Sequence, residues 1–286
     1  MSKMSRLASA GEQKRIAVIT GAASGIGRGL AEHAAGLGMR LVLADFDESN
    51  LLALAAKLRQ DGAEVLARVT DVGDHAQVAQ LREATVDRFG GVDLLFNNAG
   101  VMQTGYSWEI DPRQWQRILD VNLRGVINGI SSFVPLMLEQ KRPAHVINTA
   151  SLAGLICSPL LAAYTVTKQA VVALSETLHY DLAQIHAPVS VSVICPGPVS
   201  SDIMKSDAGQ RDSSSSFNTA LDGHIHNGMS PVELAGRVFK AIDRKQFWIL
   251  PHKEFKPALE RRLASILDET NPEFVFEGPQ VHQQSS

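Results

Sequence analysis

The chain has 286 residues, is 45% hydrophobic and 20% charged, and carries 27 Lys+Arg against 30 Asp+Glu for a formal net charge of −3. That is apolar material for one large domain or two small ones, and it excludes disorder, collagen and coiled coil. Without a basic surplus, neither nucleic acid nor an anionic membrane is expected as a partner.

Short β-branched runs alternate with longer helical patterns, which predicts βαβ units on a parallel sheet. Residues 15–20 (RIAVIT) read as a buried strand, followed by a glycine-bearing turn and a helix over 28–37. Strands at 41–44, 65–69 and 94–97 then alternate with helices at 51–60 and 77–89. A long helix over 115–135, a strand at 145–149, a second long helix over 163–182 and a strand at 189–194 continue the rhythm. A helix over 232–242 and an apolar run at 247–250 follow. Near-continuous apolar strands fit a parallel sheet covered on both faces. The expected fold is therefore α/β: a Rossmann-like doubly wound parallel sheet, one domain over 15–270, between loose tails at 1–14 and 271–286. Between 200 and 229 the alternation stops, and serines cluster at 213–216. So long an aperiodic stretch predicts a substrate lid or a disordered segment.

The polar first 14 residues lack the apolar core of a signal peptide, and no run is expected to reach the roughly 18 apolar residues of a membrane span. Cys157 and Cys195 are too few for a disulfide framework or a four-thiolate zinc site, and are read as two buried thiols. The expectation is a soluble cytoplasmic protein. His224 and His226 have no cysteine or carboxylate at ligand spacing, so no metal site is expected.

Two local patterns carry chemistry. Gly21, Ser24, Gly25, Ile26 and Gly27 lie between the first strand and the first helix, with glycines spaced G-x-x-x-G-x-G. Glycines let a backbone approach a pyrophosphate, and a helix N-terminus favours the anion. Asp45 ends the second strand, where a carboxylate can accept hydrogen bonds from both adenine-ribose hydroxyls and repel a 2′-phosphate. No cation stands at Ser24 or Phe46 to welcome such a phosphate, and Arg40 starts the same strand, at the far end from Asp45. Farther on, Tyr164 and Lys168 are four residues apart in a helix and share a face. A nearby ammonium favours the phenolate, which lets a tyrosine act as a base on an alcohol. Ser151 stands 13 residues before Tyr164 at a strand end, where its hydroxyl could hold a substrate oxygen. Taken alone, Tyr-x-x-x-Lys is a common structural pair and Ser151 an ordinary helix cap.

Together these residues resemble the short-chain dehydrogenases/reductases of the compact single-domain type. The resemblance runs over about 15–201 through the glycine turn, Asp45, Asp71-Val72, Asn97-Asn98-Ala99-Gly100, Asn122, Ser151, Tyr164-x-x-x-Lys168 and Pro196-Gly197. It implies Tyr164 as general acid/base, Ser151 as the group orienting the substrate oxygen, and Lys168 as holding the nicotinamide ribose and lowering the Tyr164 pKa. It gives Asn122 a water that relays protons to Lys168. Asp71 and Val72 would meet the adenine, with Phe46 beside the ribose acid. Asn98, Ala99 and Gly100 would line the cofactor cleft with Pro196, Gly197 and Val199. Ser201 replaces a threonine that often binds the carboxamide, and Ala150 stands where many relatives have a second serine. Short segments at 125–138 and 224–230 are similar to bacterial relatives that oxidise benzylic alcohols of lignin-type aryl ethers.

The function expected is NAD-dependent interconversion of a secondary alcohol and a ketone. An apolar or aromatic small molecule is the expected substrate, with Met102, Tyr106 and Trp108 either walling its pocket or packing elsewhere. An epimerase or dehydratase of the same fold, and a non-catalytic dinucleotide-binding redox sensor, are the alternatives. The resemblance implies a homotetramer or dimer paired through the helices at 115–135 and 163–182, and Val171, Val172, Leu174 and Leu178 add apolar residues beyond what one sheet face needs.

Overall fold

Successive strand residues point to opposite faces of a sheet, and here both faces are apolar. In the computed structural model, which describes residues 14–206 and 215–274, seven parallel strands form one sheet. They are β1 (Ile16–Thr20), β2 (Arg40–Asp45), β3 (Val65–Val69), β4 (Leu94–Asn97), β5 (Ala144–Thr149), β6 (Val189–Ile194) and β7 (Trp248–Ile249). Their order is β3-β2-β1-β4-β5-β6-β7. Ala17, Ile19, Leu41 and Leu43 enter one layer with α1 (Gly25–Gly36), α2 (Glu48–Gln60) and α8 (Pro231–Asp243). Ile16, Val18, Val42 and Leu95 enter the other, with α3 (His75–Phe89), α5 (Gly125–Glu139) and α6 (Ala162–Gln184). The doubly wound expectation holds. Strand order reverses between β1 and β4, which opens a crevice beyond their carboxyl ends.

Several boundaries differ from the sequence reading. Helix α1 starts at Gly25 rather than 28, so the end of the glycine turn is already helical. The helix expected over 115–135 runs through α4 (Pro112–Leu119) and α5 with a π-helical turn, Asp120–Arg124, between them. A single π-helical turn inserts only one wider turn into an otherwise 3.6-residue pattern, too short to stand out in the sequence. Within 200–229 stand a 3₁₀ turn, Ile203–Ser206, and α7 (Ser215–His226), which corrects the structureless reading. Residues 207–214, with half of the serine cluster, lie outside the described residues, as do 1–13 and 275–286 of the expected tails. A helix α9 (Lys256–Leu267), with Pro257 in its first turn, was not anticipated.

Pro112–Glu139 is long and apolar enough to cross a membrane, against the sequence expectation. Half of its apolar window is buried, and Phe133, Val134 and Met137 pack into the sheet's second layer, as expected of a core helix. Cys195 is buried but Cys157 is exposed, so the paired-buried-thiol reading is corrected.

Candidate active site

The crevice is assembled by polar ties among three central strands. Thr20 ends β1, and its Oγ1 accepts from the N–H groups of Asn98 (2.9 Å) and Ala99 (3.1 Å) while donating to the Phe96 carbonyl (3.2 Å). Asn98 donates to the Thr20 carbonyl (3.0 Å) and accepts from Thr149 Oγ1 (3.2 Å) at the end of β5. Beside this knot, Gly21 takes a left-handed φ of 64°, and a Cβ there would stand 2.7 Å from Ala99 Cα. Gly25, at φ 48°, faces Ser201, whose Cβ would be 2.9 Å away. Gly27 lies behind the turn, where a side chain would strike the Gly21 carbonyl, and it does not line the cavity. Ser24 precedes α1 without capping it through its side chain, and the helix has no acid in its first turn. Uncapped N–H groups at a cavity wall suit an anion.

At the end of β2, the carboxylate of Asp45 accepts from Ala23 N–H (2.8 Å) and Asp47 N–H (3.0 Å). It therefore fixes the glycine turn as well as facing the cavity. Arg40 starts the strand and pairs with Glu64 at 3.5 Å, at the opposite end as expected.

On the other side of the crevice, Ser151 stands beside Tyr164, and its hydroxyl favours the phenolate. Ser151 follows β5, and its Oγ also accepts from Ala153 N–H (3.2 Å). One turn after Tyr164 on α6, Lys168 Nζ donates to the Thr149 carbonyl (3.0 Å) and lies 5.6 Å from the centroid of the Tyr164 ring. Both side chains are buried. Burial pushes the Tyr164 phenol up to about 12, against a smaller lowering by the neighbouring Ser151 hydroxyl. Burial also brings the Lys168 ammonium down to about 8. Burial is the largest influence on both groups, because a buried phenolate and a buried ammonium each lose their hydration.

Asn122 stands in the π-helical turn and is fully buried. Its side chain accepts from Val101 N–H (2.8 Å) and donates to the Val101 carbonyl (3.0 Å) and Thr167 Oγ1 (3.2 Å). A Cβ at Gly100 would stand 3.4 Å from Lys168 Nζ and 3.5 Å from Asn122 Oδ1. Gly100 thus keeps open the space between the two side chains. Asn122 itself does not line the cavity.

One cavity of about 930 Å³ connects all this, large for a ligand pocket. Its walls include Gly21, Ser24, Gly25, Ile26, Asp45, Phe46, Asp71, Val72, Asn98, Ala99 and Gly100. Ser151, Tyr164, Lys168, Pro196, Gly197, Val199 and Ser201 continue them. Met102 lines it too, whereas Tyr106 and Trp108 stack on each other (4.8 Å between centroids) away from it. His224 reaches the wall; no group of three metal-binding side chains occurs among the described residues. Sequence reasoning missed Arg113 and Arg117 of α4, Leu221 and Ile225 of α7, and Phe255, Ala258 and Phe274. Phe274 belongs to the expected C-terminal tail, which is corrected there. The glycine turn, the uncapped helix end and the acid at the tip of β2 together fit a dinucleotide.

The family model for short chain dehydrogenases matches residues 15–212, and the chain belongs to the short-chain dehydrogenase/reductase family, oxidoreductases that bind a nicotinamide dinucleotide. It is similar to a CLA biosynthesis dehydrogenase/reductase of Lactiplantibacillus plantarum, 34% identical over 272 residues, 91% of this chain and 95% of the relative. A C alpha-dehydrogenase of Sphingobium sp. is 30% identical over 270 residues, 91% of this chain and 88% of that one. A crystal structure of a family member from Burkholderia phymatum in complex with NAD is 38% identical with a TM-score of 0.90, covering 93% of this chain and 99% of the other.

Proposed function

We propose that this chain is an NAD-dependent oxidoreductase that interconverts a secondary alcohol and a ketone, with Tyr164 as the general acid/base. The observation that carries the reading is that Ser151, Tyr164 and Lys168 line one cavity with the glycine turn, Lys168 standing one helical turn from Tyr164 and 5.6 Å from its ring centroid. When bound, the dinucleotide accepts or donates the hydride. Tyr164 moves the proton at the substrate oxygen, and Ser151 holds that oxygen in place. A phenol near 12 is protonated at neutral pH, poised to donate to a developing alkoxide as a ketone is reduced. In oxidation Tyr164 must first lose that proton, and the Lys168 ammonium is the group that stabilises the phenolate.

Lys168 also holds the nicotinamide ribose, Asn122 supports the water leading to Lys168, and Asp71 with Val72 meets the adenine. Asn98, Ala99, Gly100, Pro196, Gly197, Val199 and Ser201 line the cofactor's path. Asp45 makes NAD preferred to NADP, consistent with the NAD bound in the Burkholderia relative. The apolar wall of Met102, Leu161, Leu221, Ile225 and Phe255 favours an apolar or aromatic substrate, closed over by Ile203–Ser206 and α7. The enzyme works in the cytoplasm as a homotetramer or dimer. Absorbance at 340 nm with NAD and a panel of apolar and aromatic secondary alcohols tests the reading. Formation of NADH with a panel member supports it, and no formation with any, or with the matching ketones in reverse, contradicts it.

A further inference from the structure

His252 follows β7 and is half-buried beneath the loop that carries Pro196 and Gly197. Its two ring nitrogens bind that loop. Gly197 N–H donates to Nδ1 (3.0 Å), and Nε2 lies 3.1 Å from the Pro198 carbonyl. A backbone N–H can only donate and a carbonyl can only accept, so the partners themselves fix the tautomer: Nδ1 is bare and Nε2 carries the hydrogen. The fit is close, since a Cβ on Gly197 would stand 3.1 Å from His252 Cγ and 2.9 Å from the Phe255 ring. From α8, Arg237 binds the carbonyl of Pro251, next in chain to His252, and pairs with Glu233 at 2.7 Å.

We infer that His252 is a positioning residue whose neutral imidazole clamps the Gly197–Pro198 turn of the cofactor cleft, and that its protonation opens the clamp. An imidazolium carries hydrogens on both nitrogens, so Nδ1–H would face Gly197 N–H, donor against donor. The Pro198 carbonyl has a second donor in Met229 N–H (3.1 Å), so the loss falls on Gly197. The charged groups around the ring are Glu254 on its own segment and Glu233 and Arg237 on α8. Burial, the largest influence, holds His252 below the usual histidine range despite the two glutamates. The clamp therefore stays closed at neutral pH and opens only as pH falls below the usual histidine range.

The inference rests on the dinucleotide reading of the cleft, so its test has an arm free of cofactor. In the unliganded protein, the protection of the Gly197 amide against hydrogen exchange should fall at least tenfold as pH drops from 7.5 to 5. In His252→Asn, whose Oδ1 can accept from Gly197 N–H without titrating, protection should stay flat. NAD affinity by calorimetry should weaken at least tenfold over the same range in the parent and stay flat in the variant. Protection that ignores pH in the parent, or a variant that follows the parent, would overturn the inference. If NAD fails to bind the parent at any pH, the dinucleotide reading fails while the exchange arm still judges the clamp. If the variant does not fold, ¹⁵N shifts of the parent's imidazole decide: a bare Nδ1 at pH 7.5 is expected, and a protonated Nδ1 overturns the inference.

Discussion

At the scale of single residues, Asp45 has a structural role and, in the proposed function, a selective one. Its oxygens accept the N–H groups of Ala23 and Asp47, which aims the charge at the cavity and holds the glycine turn. A charge-assisted hydrogen bond contributes about 1.5–3 kcal/mol, and tenfold discrimination needs about 1.4 kcal/mol. The parent is therefore expected to favour NAD over NADP by at least tenfold in kcat/KM. Asp45→Ala should erase most of that gap, and it should also lower Tm because two backbone donors lose their acceptor. Kinetics with both cofactors and thermal melts check this; a variant that keeps the parent's preference would remove Asp45 as the selector.

At the scale of elements, the π-helical turn Asp120–Arg124 is the device that delivers Asn122 to Val101 and Thr167. Such turns interrupt an α-helix at a cost and are frequent at functional sites. Asn122→Ala strands both backbone groups of Val101, at about 1–3 kcal/mol for each buried group left unpaired. Calorimetry should show a Tm several degrees lower, and kcat should fall by tenfold or more with a smaller change in the Kd for NAD. A parent-like Tm and kcat would mean that the turn is incidental. Much of this level is legible in sequence. The β-branched runs located the strands to within a residue at either end because both faces of the sheet are apolar, and the Gly, Asn, Ser and Tyr-x-x-x-Lys spacings located the glycine turn, the β2 tip and the Ser151, Tyr164 and Lys168 side of the cavity wall. What escaped lacks a local signature. One π turn shifts the period of its flanks over too few residues to be read, and α9 has no buried residue to mark it. Phe255, Phe274 and His252 reach the site only through tertiary packing. The weight of desolvation on Tyr164 and Lys168 is likewise a property of burial, invisible in the spacing of two residues.

At the scale of the whole molecule, His145 links the sheet to acid stability. It is the second residue of β5, opposite Ser190 of β6, and is buried with Nε2 2.7 Å from Ser192 Oγ, whose own hydrogen goes to the Gln246 carbonyl. Burial, with smaller contributions from Arg15 and Lys245, brings its pKa down to about 4. A histidine depressed on folding stabilises fully above about 6.5 and loses that stabilisation as pH falls through the folded value, here on the order of 3 kcal/mol. Melts from pH 7 to 4 should therefore show a smaller drop in Tm for His145→Gln than for the parent; equal drops would contradict the assignment. Assembly is the other whole-molecule expectation. Val171, Val172 and Leu178 are buried within the protomer, so the surplus inferred from sequence is spent on its own core. Ile127 on α5 and Val166 on α6 remain exposed and supply apolar surface on the two helices expected to pair. Sedimentation at micromolar concentration should give a dimer or tetramer, and a monomer would refute it.

The central claim is that the Tyr164 hydroxyl moves the proton at the substrate oxygen. Tyr164→Phe removes that one oxygen from a side chain of nearly the same shape. Turnover followed at 340 nm should fall about 10²–10⁴-fold, while the Kd for NAD changes little. Activity equal to the parent's in that variant, with NAD still bound, would contradict the account.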